Sequence, residues 1–162
     1  MTGWDQRPFE TKNLFNPAFC AVVLMRSLKA YAVADPKGMP FSQSVLILPL
    51  SLHNESRDLL LKHYKSYLLK TFEANPQLQI GLPERVTEML PYTFEAFGLA
   101  HQADCFEVTQ EGRLLPKARR LTPDIDGTDE TVACQRAAML LGREFAKIAD
   151  RVTVYSALGI RP

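Results

Sequence analysis

Asn16-Pro17 opens a segment, Ala18 to Ala32, that is apolar almost all round, with Arg26 and Lys29 its only charges. Asparagine is a strong N-cap, and proline suits the first helical position, where its missing N–H costs nothing. A helix without a polar face belongs in the middle of a core, so the rest of the chain has to wrap around this one. There is enough chain to do it. The 162 residues are the length of one ordinary domain, and folding at that size hides roughly 70% of the surface the unfolded chain exposes. An apolar fraction of 46% with 23% charged residues is the globular average, which excludes a chain disordered throughout.

Local signals place the elements around that helix. Asp35-Pro36-Lys37-Gly38 is a strong turn. Phe41 to Leu52 is ambiguous between a buried strand and a short helix, and Pro49 tips the reading towards helix. Asn54 caps a helical region from Glu55 to Ala74, with Leu59, Leu60, Tyr64, Tyr67, Leu68 and Phe72 on one face, and Asn75-Pro76 ends it. Helices from Pro83 to Leu90 and from Pro91 to Ala103 follow. The period then changes to two at Cys105, and Gln110-Glu111-Gly112 turns a hairpin that closes at Leu115. A loop, Leu121 to Thr128, leads to a last long helix reaching about Asp150, with Cys134, Ala138, Leu141, Phe145 and Ile148 as its apolar face. The tail is one short helical turn and an extended end.

Three helices followed at once by a hairpin is the order of a winged helix-turn-helix. The predicted fold class is therefore mainly α (α+β): a winged helix-turn-helix-like core over 54–116 with one small β-hairpin wing, packed by additional N- and C-terminal helices. It forms a single domain, 1–162. An N-terminal arm, 1–12, is pinned by Trp4 and Phe9, and residues 129–162 supply the C-terminal helix and tail.

Nineteen Lys plus Arg against eighteen Asp plus Glu leave a net charge of +1, which excludes a surface that is cationic all over but allows a local patch. Arg113, Lys117, Arg119 and Arg120, on the wing and its exit, are the candidate nucleic-acid contacts. The plainer reading is that they neutralise the acidic run Asp124, Asp126, Asp129 and Glu130. The helix from Pro91 carries no Lys or Arg, which makes it a poor base reader. Its Tyr92, Phe94 and Phe97 are aromatic anchors if exposed and core residues if not; we read Phe94 and Phe97 as core.

Chemistry finds little to work with. His53, His63 and His101 lack metal-site spacing, there is no glycine-rich phosphate loop, and Asp124 and Asp126 lack the rest of a calcium loop. Cys20, Cys105 and Cys134 are odd in number and read as reduced thiols packed as small hydrophobes. No catalytic, cofactor-binding or metal-binding residues are assigned, and the chain is expected not to be an enzyme. The longest uninterrupted apolar run, Ala18 to Met25, falls far short of the ~20 residues of a spanning helix, and the N-terminus does not read as a secretory signal. A cytoplasmic protein without membrane contact is the expectation.

Trp4, the run Asn13 to Phe19, Leu48-Pro49-Leu50-Ser51-Leu52-His53 followed by Arg57, then Asn75-Pro76, Arg85, Pro91-Tyr92-Thr93 and the terminal Leu158-Gly159-Ile160-Arg161-Pro162 stand in this order along the chain. In this the sequence resembles the middle component of bacterial three-component ABC-ATPase systems, over nearly its whole length. The resemblance implies a non-enzymatic adaptor encoded beside an SMC/Rad50-like ABC ATPase and an effector, in systems linked to defence against phage and other mobile DNA. Tyr92, Ile160, Arg161 and Pro162 are the candidate partner contacts. The alternative is a stand-alone winged-helix DNA-binding protein or transcriptional regulator using the basic wing.

Overall fold

The computed structural model describes residues 6, 15–117, 120–148 and 150–161; the arm residues Trp4 and Phe9 lie outside these. Helix α1, Pro17–Ala34, forms as its start signal requires: Asn16 Oδ1 accepts from the Ala18 N–H at 2.9 Å and the Phe19 N–H at 3.4 Å. By length and composition α1 would also suit a membrane span. Here it is packed chiefly by the long helices α6 (Leu82–Gln102) and α7 (Asp129–Ile148), with Cys20, Val23, Leu24, Leu28 and Tyr31 fully buried.

The turn after α1 sets up a small sheet. Gly38 has φ +90°, and a Cβ there would meet the Leu114 carbonyl oxygen at 2.6 Å, so glycine lets two backbones close up. They are those of β1, Met39–Pro40, and β3, Arg113–Pro116, antiparallel with Met39 opposite Leu114. The hairpin expected at 105–115 is present: β2, Phe106–Val108, pairs antiparallel with β3, giving the order β1-β3-β2. Two residues are too short for alternation to show, so β1 was invisible to pattern reading.

Residues 41–52 are helical, as α2 (Phe41–Ser44) and α3 (Ile47–Ser51). Pro49 sits in the first turn of α3, where its N–H would have had no helical partner. Two expectations need correction. The helix predicted over 55–74 is broken into α4, Asn54–Lys62, and α5, Leu68–Ala74. Tyr64 and Tyr67 lie in the link and are exposed, while Leu60, Leu68 and Phe72 keep the core. Conversely, the helices predicted on either side of Pro91 are one continuous helix, α6. No turn separates them, so the helix-turn-helix step expected there is absent. Proline inside a helix costs about 3 kcal/mol, and burying Met89, Thr93, Ala96 and Phe97 on either side of the exposed Pro91 offsets it. The fold is mainly helical with one small three-stranded antiparallel sheet. After α7, Asp150 caps α8, Arg151–Ala157.

Candidate functional site

The basic wing is paired, though not with the acids expected. Arg113 donates from Nη1 to the Gly38 carbonyl at 2.9 Å and faces Asp35 at 3.5 Å and Glu111 at 3.9 Å. Lys117 and Arg120 share the carboxylate of Asp104, the latter at 3.5 Å. The Lys117 hydrogen bond holds the Asp104 carboxyl below its ordinary value. Arg119 lies outside the described residues. Of the downstream acidic run, Glu130 faces Arg57 at 3.6 Å, and Asp124 and Asp126 are held through their backbone carbonyls, which accept from Arg26 and Gln135.

The aromatic residues of α6 divide. Phe97 is buried, whereas Phe94 is 55% exposed and stacks on Phe41 with centroids 5.9 Å apart; reading both as core was half right. Tyr92 stacks on Phe15 at 4.6 Å. At the C-terminus, Gly159 takes φ +68°, the Ile160 N–H donates to the Tyr155 carbonyl at 3.0 Å, and Ile160 packs half-buried on the core. Arg161 is exposed and Pro162 is outside the described residues. Deleting 159–162 should therefore cost about 1–2 kcal/mol, the value for a half-buried aliphatic side chain. Urea denaturation checks this, and an unchanged midpoint would make the tail a free docking element instead.

Two of the separated motifs, the run ending at Phe19 and the one holding His53 and Arg57, converge on one corner. Phe15 and Asn16 just before α1 and Phe19 within it, His53 at the cap of α4 and Arg57 within it, and Cys134 of α7 are among the residues around a groove of about 620 Å³. Arg57 is buried beneath it, donating to Asn54 Oδ1 at 3.0 Å and to Cys134 Sγ at 3.2 Å, with Glu130 at 3.6 Å. Arg85 braces the same corner through the Pro49 carbonyl at 3.0 Å and Ser56 Oγ at 3.3 Å. These residues hold the α3–α4 bend against α6 and α7.

His53 caps α4: its Nδ1 accepts from the Ser56 N–H at 3.4 Å and lies 2.9 Å from Ser56 Oγ. Burial, and then the Arg85 charge, hold the imidazole below its ordinary value. The folded protein thus binds this proton less readily than the unfolded chain does. The stability involved is present above the unfolded value of about 6.5 and is lost as pH falls through it. The melting temperature should drop between about pH 7.5 and 5.5. His53→Asn, which keeps a capping acceptor, should flatten that slope; an undiminished slope would assign it to another group.

Burial pushes the Cys20 thiol up to about 12, with Glu95 and Cys134 adding to the effect, and raises Cys134 despite Arg57. Both are protonated at neutral pH and poor nucleophiles. Cys105 is half-buried, 3.8 Å from the Ala103 carbonyl, and the His101 ring lies beside Phe106. Among the described residues no three His, Cys, Asp or Glu side chains gather to hold a metal ion.

Fold and surface together define a helical domain that offers grooves and exposed aromatic rings. The chain belongs to the family described as ABC-three component (ABC-3C) system Middle Component 3, matched over residues 4–162. It is a middle component, and its partners lie within that three-component system. No curated protein and no solved structure matches it.

Proposed function

We propose that this chain is the adaptor of its system: a cytoplasmic protein without chemistry of its own that bridges an SMC/Rad50-like ABC ATPase and an effector, in defence against phage and other mobile DNA. The carrying observation is the family match across residues 4–162, which makes the whole domain the middle component. Exposed Phe94 and Phe41, stacked on each other, support a protein-binding role, because aromatic residues dominate interface hot spots.

The second reading is the winged-helix DNA binder, with β2–β3 as its wing. Arg113, Lys117 and Arg120 each already face a carboxylate, and α6 carries no Lys or Arg after Arg85, so the adaptor reading is favoured. Affinity purification of the tagged chain, co-expressed with the other two components, tests it. The adaptor predicts stoichiometric co-elution of both at moderate salt. Recovery of DNA with no protein partner, abolished by Lys117→Glu with Arg120→Glu, would replace it with the regulator.

A further inference from the structure

Between residues 134 and 147, α7 is buried everywhere except along one stripe: Arg136, Met139, Arg143 and Lys147. Their spacing of three, four and four keeps them on one face over roughly 16 Å, three turns of helix. Facing the stripe is the broken link between α4 and α5, which puts Tyr64 and Tyr67 in solvent at 53% and 44% exposure. Two hollows of about 530 and 470 Å³ lie between stripe and link, and they share Tyr64 and Arg143, so they form one trench.

The trench has a definite chemistry. Its wider half has an aliphatic floor that includes Leu61, Ile125 and Met139. Its charged lining is Arg136, Arg143, Lys65 and Lys147 against a single carboxylate, Glu144. That carboxylate is 4% exposed and held by Arg143 at 3.2 Å and Lys147 at 2.7 Å, so its charge is not presented to a ligand. Among the described residues Arg136 has no hydrogen bond or ion pair, and Lys65 only rests over the Tyr64 ring at 5.5 Å.

We propose that this trench docks an acidic amphipathic segment, about three helical turns long, of one of the other two components, its apolar side chains on the aliphatic floor and its carboxylates against Arg136, Arg143, Lys65 and Lys147. The proposal rests on the adaptor reading and names the surface that reading uses. Charge complementarity selects an anionic occupant, and the aliphatic floor selects a peptide over a nucleic acid. Single strands are held by stacking bases on aromatic faces, and one face of Tyr64 is already covered by the Lys65 ammonium. A groove that takes apolar anchors with charges at its rim is the form of helix-in-groove recognition.

The test is the double variant Lys65→Glu with Arg136→Glu, which removes no carboxylate's partner among the described residues and so leaves no buried charge behind. Wild type and variant, shown to have the same thermal melt, are compared by pull-down from cells co-expressing all three components and by anisotropy with labelled oligo(dT). The expected result is at least about a tenfold weaker capture of one component by the variant, with wild-type capture stronger at low salt. Equal capture by wild type and variant overturns the trench alone and leaves a solvated charged stripe. Loss of oligo(dT) binding with protein capture unchanged overturns it in favour of nucleic acid. Failure of the wild type to capture either component overturns the adaptor reading, and the trench with it.

Discussion

Gly142→Ala is expected to remove about 3 kcal/mol of stability, the upper part of the range for overpacking a core. A Cβ at Gly142 would lie 2.1 Å from the Ser27 carbonyl oxygen and 2.8 Å from its carbonyl carbon. Both are backbone atoms of α1, so no side chain can rotate away, and α1 and α7 must separate instead. Among the described residues that crossing is the most extensive contact between helices, and Leu24 and Leu28 of α1 lie buried in the same core as Ala138, Leu141 and Phe145 of α7. A domain of this size loses roughly 2–4 °C of melting temperature per kcal/mol, so the melt should fall by about 10 °C. Gly98→Ala is the matched control. It lies in the exposed part of α6 with nothing within 4 Å of the new methyl, and it should gain about 0.5–1 kcal/mol from helix propensity. If both variants melt like the wild type, the close α1–α7 approach is not as described.

The difference between these two glycines shows what sequence could and could not deliver. Both stand in helical runs, and only the neighbour across the interface separates them. Helix α1 was legible because its evidence is local: a cap, a proline at the first position and an unbroken apolar segment. The hairpin was legible for the same reason. The break between α4 and α5 was not, because the apolar spacing continues through Tyr64 and Tyr67 while tertiary packing leaves both in water. Pro91 misled in the opposite sense, since a local helix-breaking preference lost to the burial of the residues flanking it.

The candidate surfaces follow the same division. Four cations close together on the wing were easy to find, but the acids that pair with the described ones, Asp35 and Asp104 above all, come from two turns earlier in the chain, one before β1 and one before β2. Lys65 and Arg136 are far apart in sequence and come to line the two halves of one trench only because the α4–α5 link folds onto α7. A signal was nevertheless available: Arg136, Met139, Arg143 and Lys147 recur at helical spacing on the face opposite the apolar one.

Arg26→Met should cost about 3 kcal/mol and should also weaken partner docking, although Arg26 lies outside the trench. Arg26 was visible as a rare charge in an apolar helix, and the structure shows its use. It is 4% exposed, and it donates from Nε to Gln135 Oε1 at 3.1 Å, from Nη1 to the Thr122 carbonyl at 2.5 Å and from Nη2 to the Asp124 carbonyl at 2.7 Å. Gln135 extends the clamp to the Asp126 carbonyl at 3.2 Å. Burial lowers the guanidinium's affinity for its proton, and the nearby Asp124 and Asp126 charges work the other way; arginine remains charged. Methionine matches much of the volume but supplies no donor, so two loop carbonyls and the Gln135 oxygen lose their partner. Lysine is no substitute, because one ammonium cannot reproduce a planar fork aimed at three acceptors. The loop so released, 121–128, carries Ile125, part of the trench floor. Urea denaturation should show the lost stability, and limited proteolysis should show new cleavage within 121–128. Pull-down of the partner should weaken as Ile125 leaves its place. A variant as stable and as protease-resistant as wild type would mean that water replaces the guanidinium at all three acceptors. Full stability with weakened docking would instead mean that Ile125 shifts without the fold loosening.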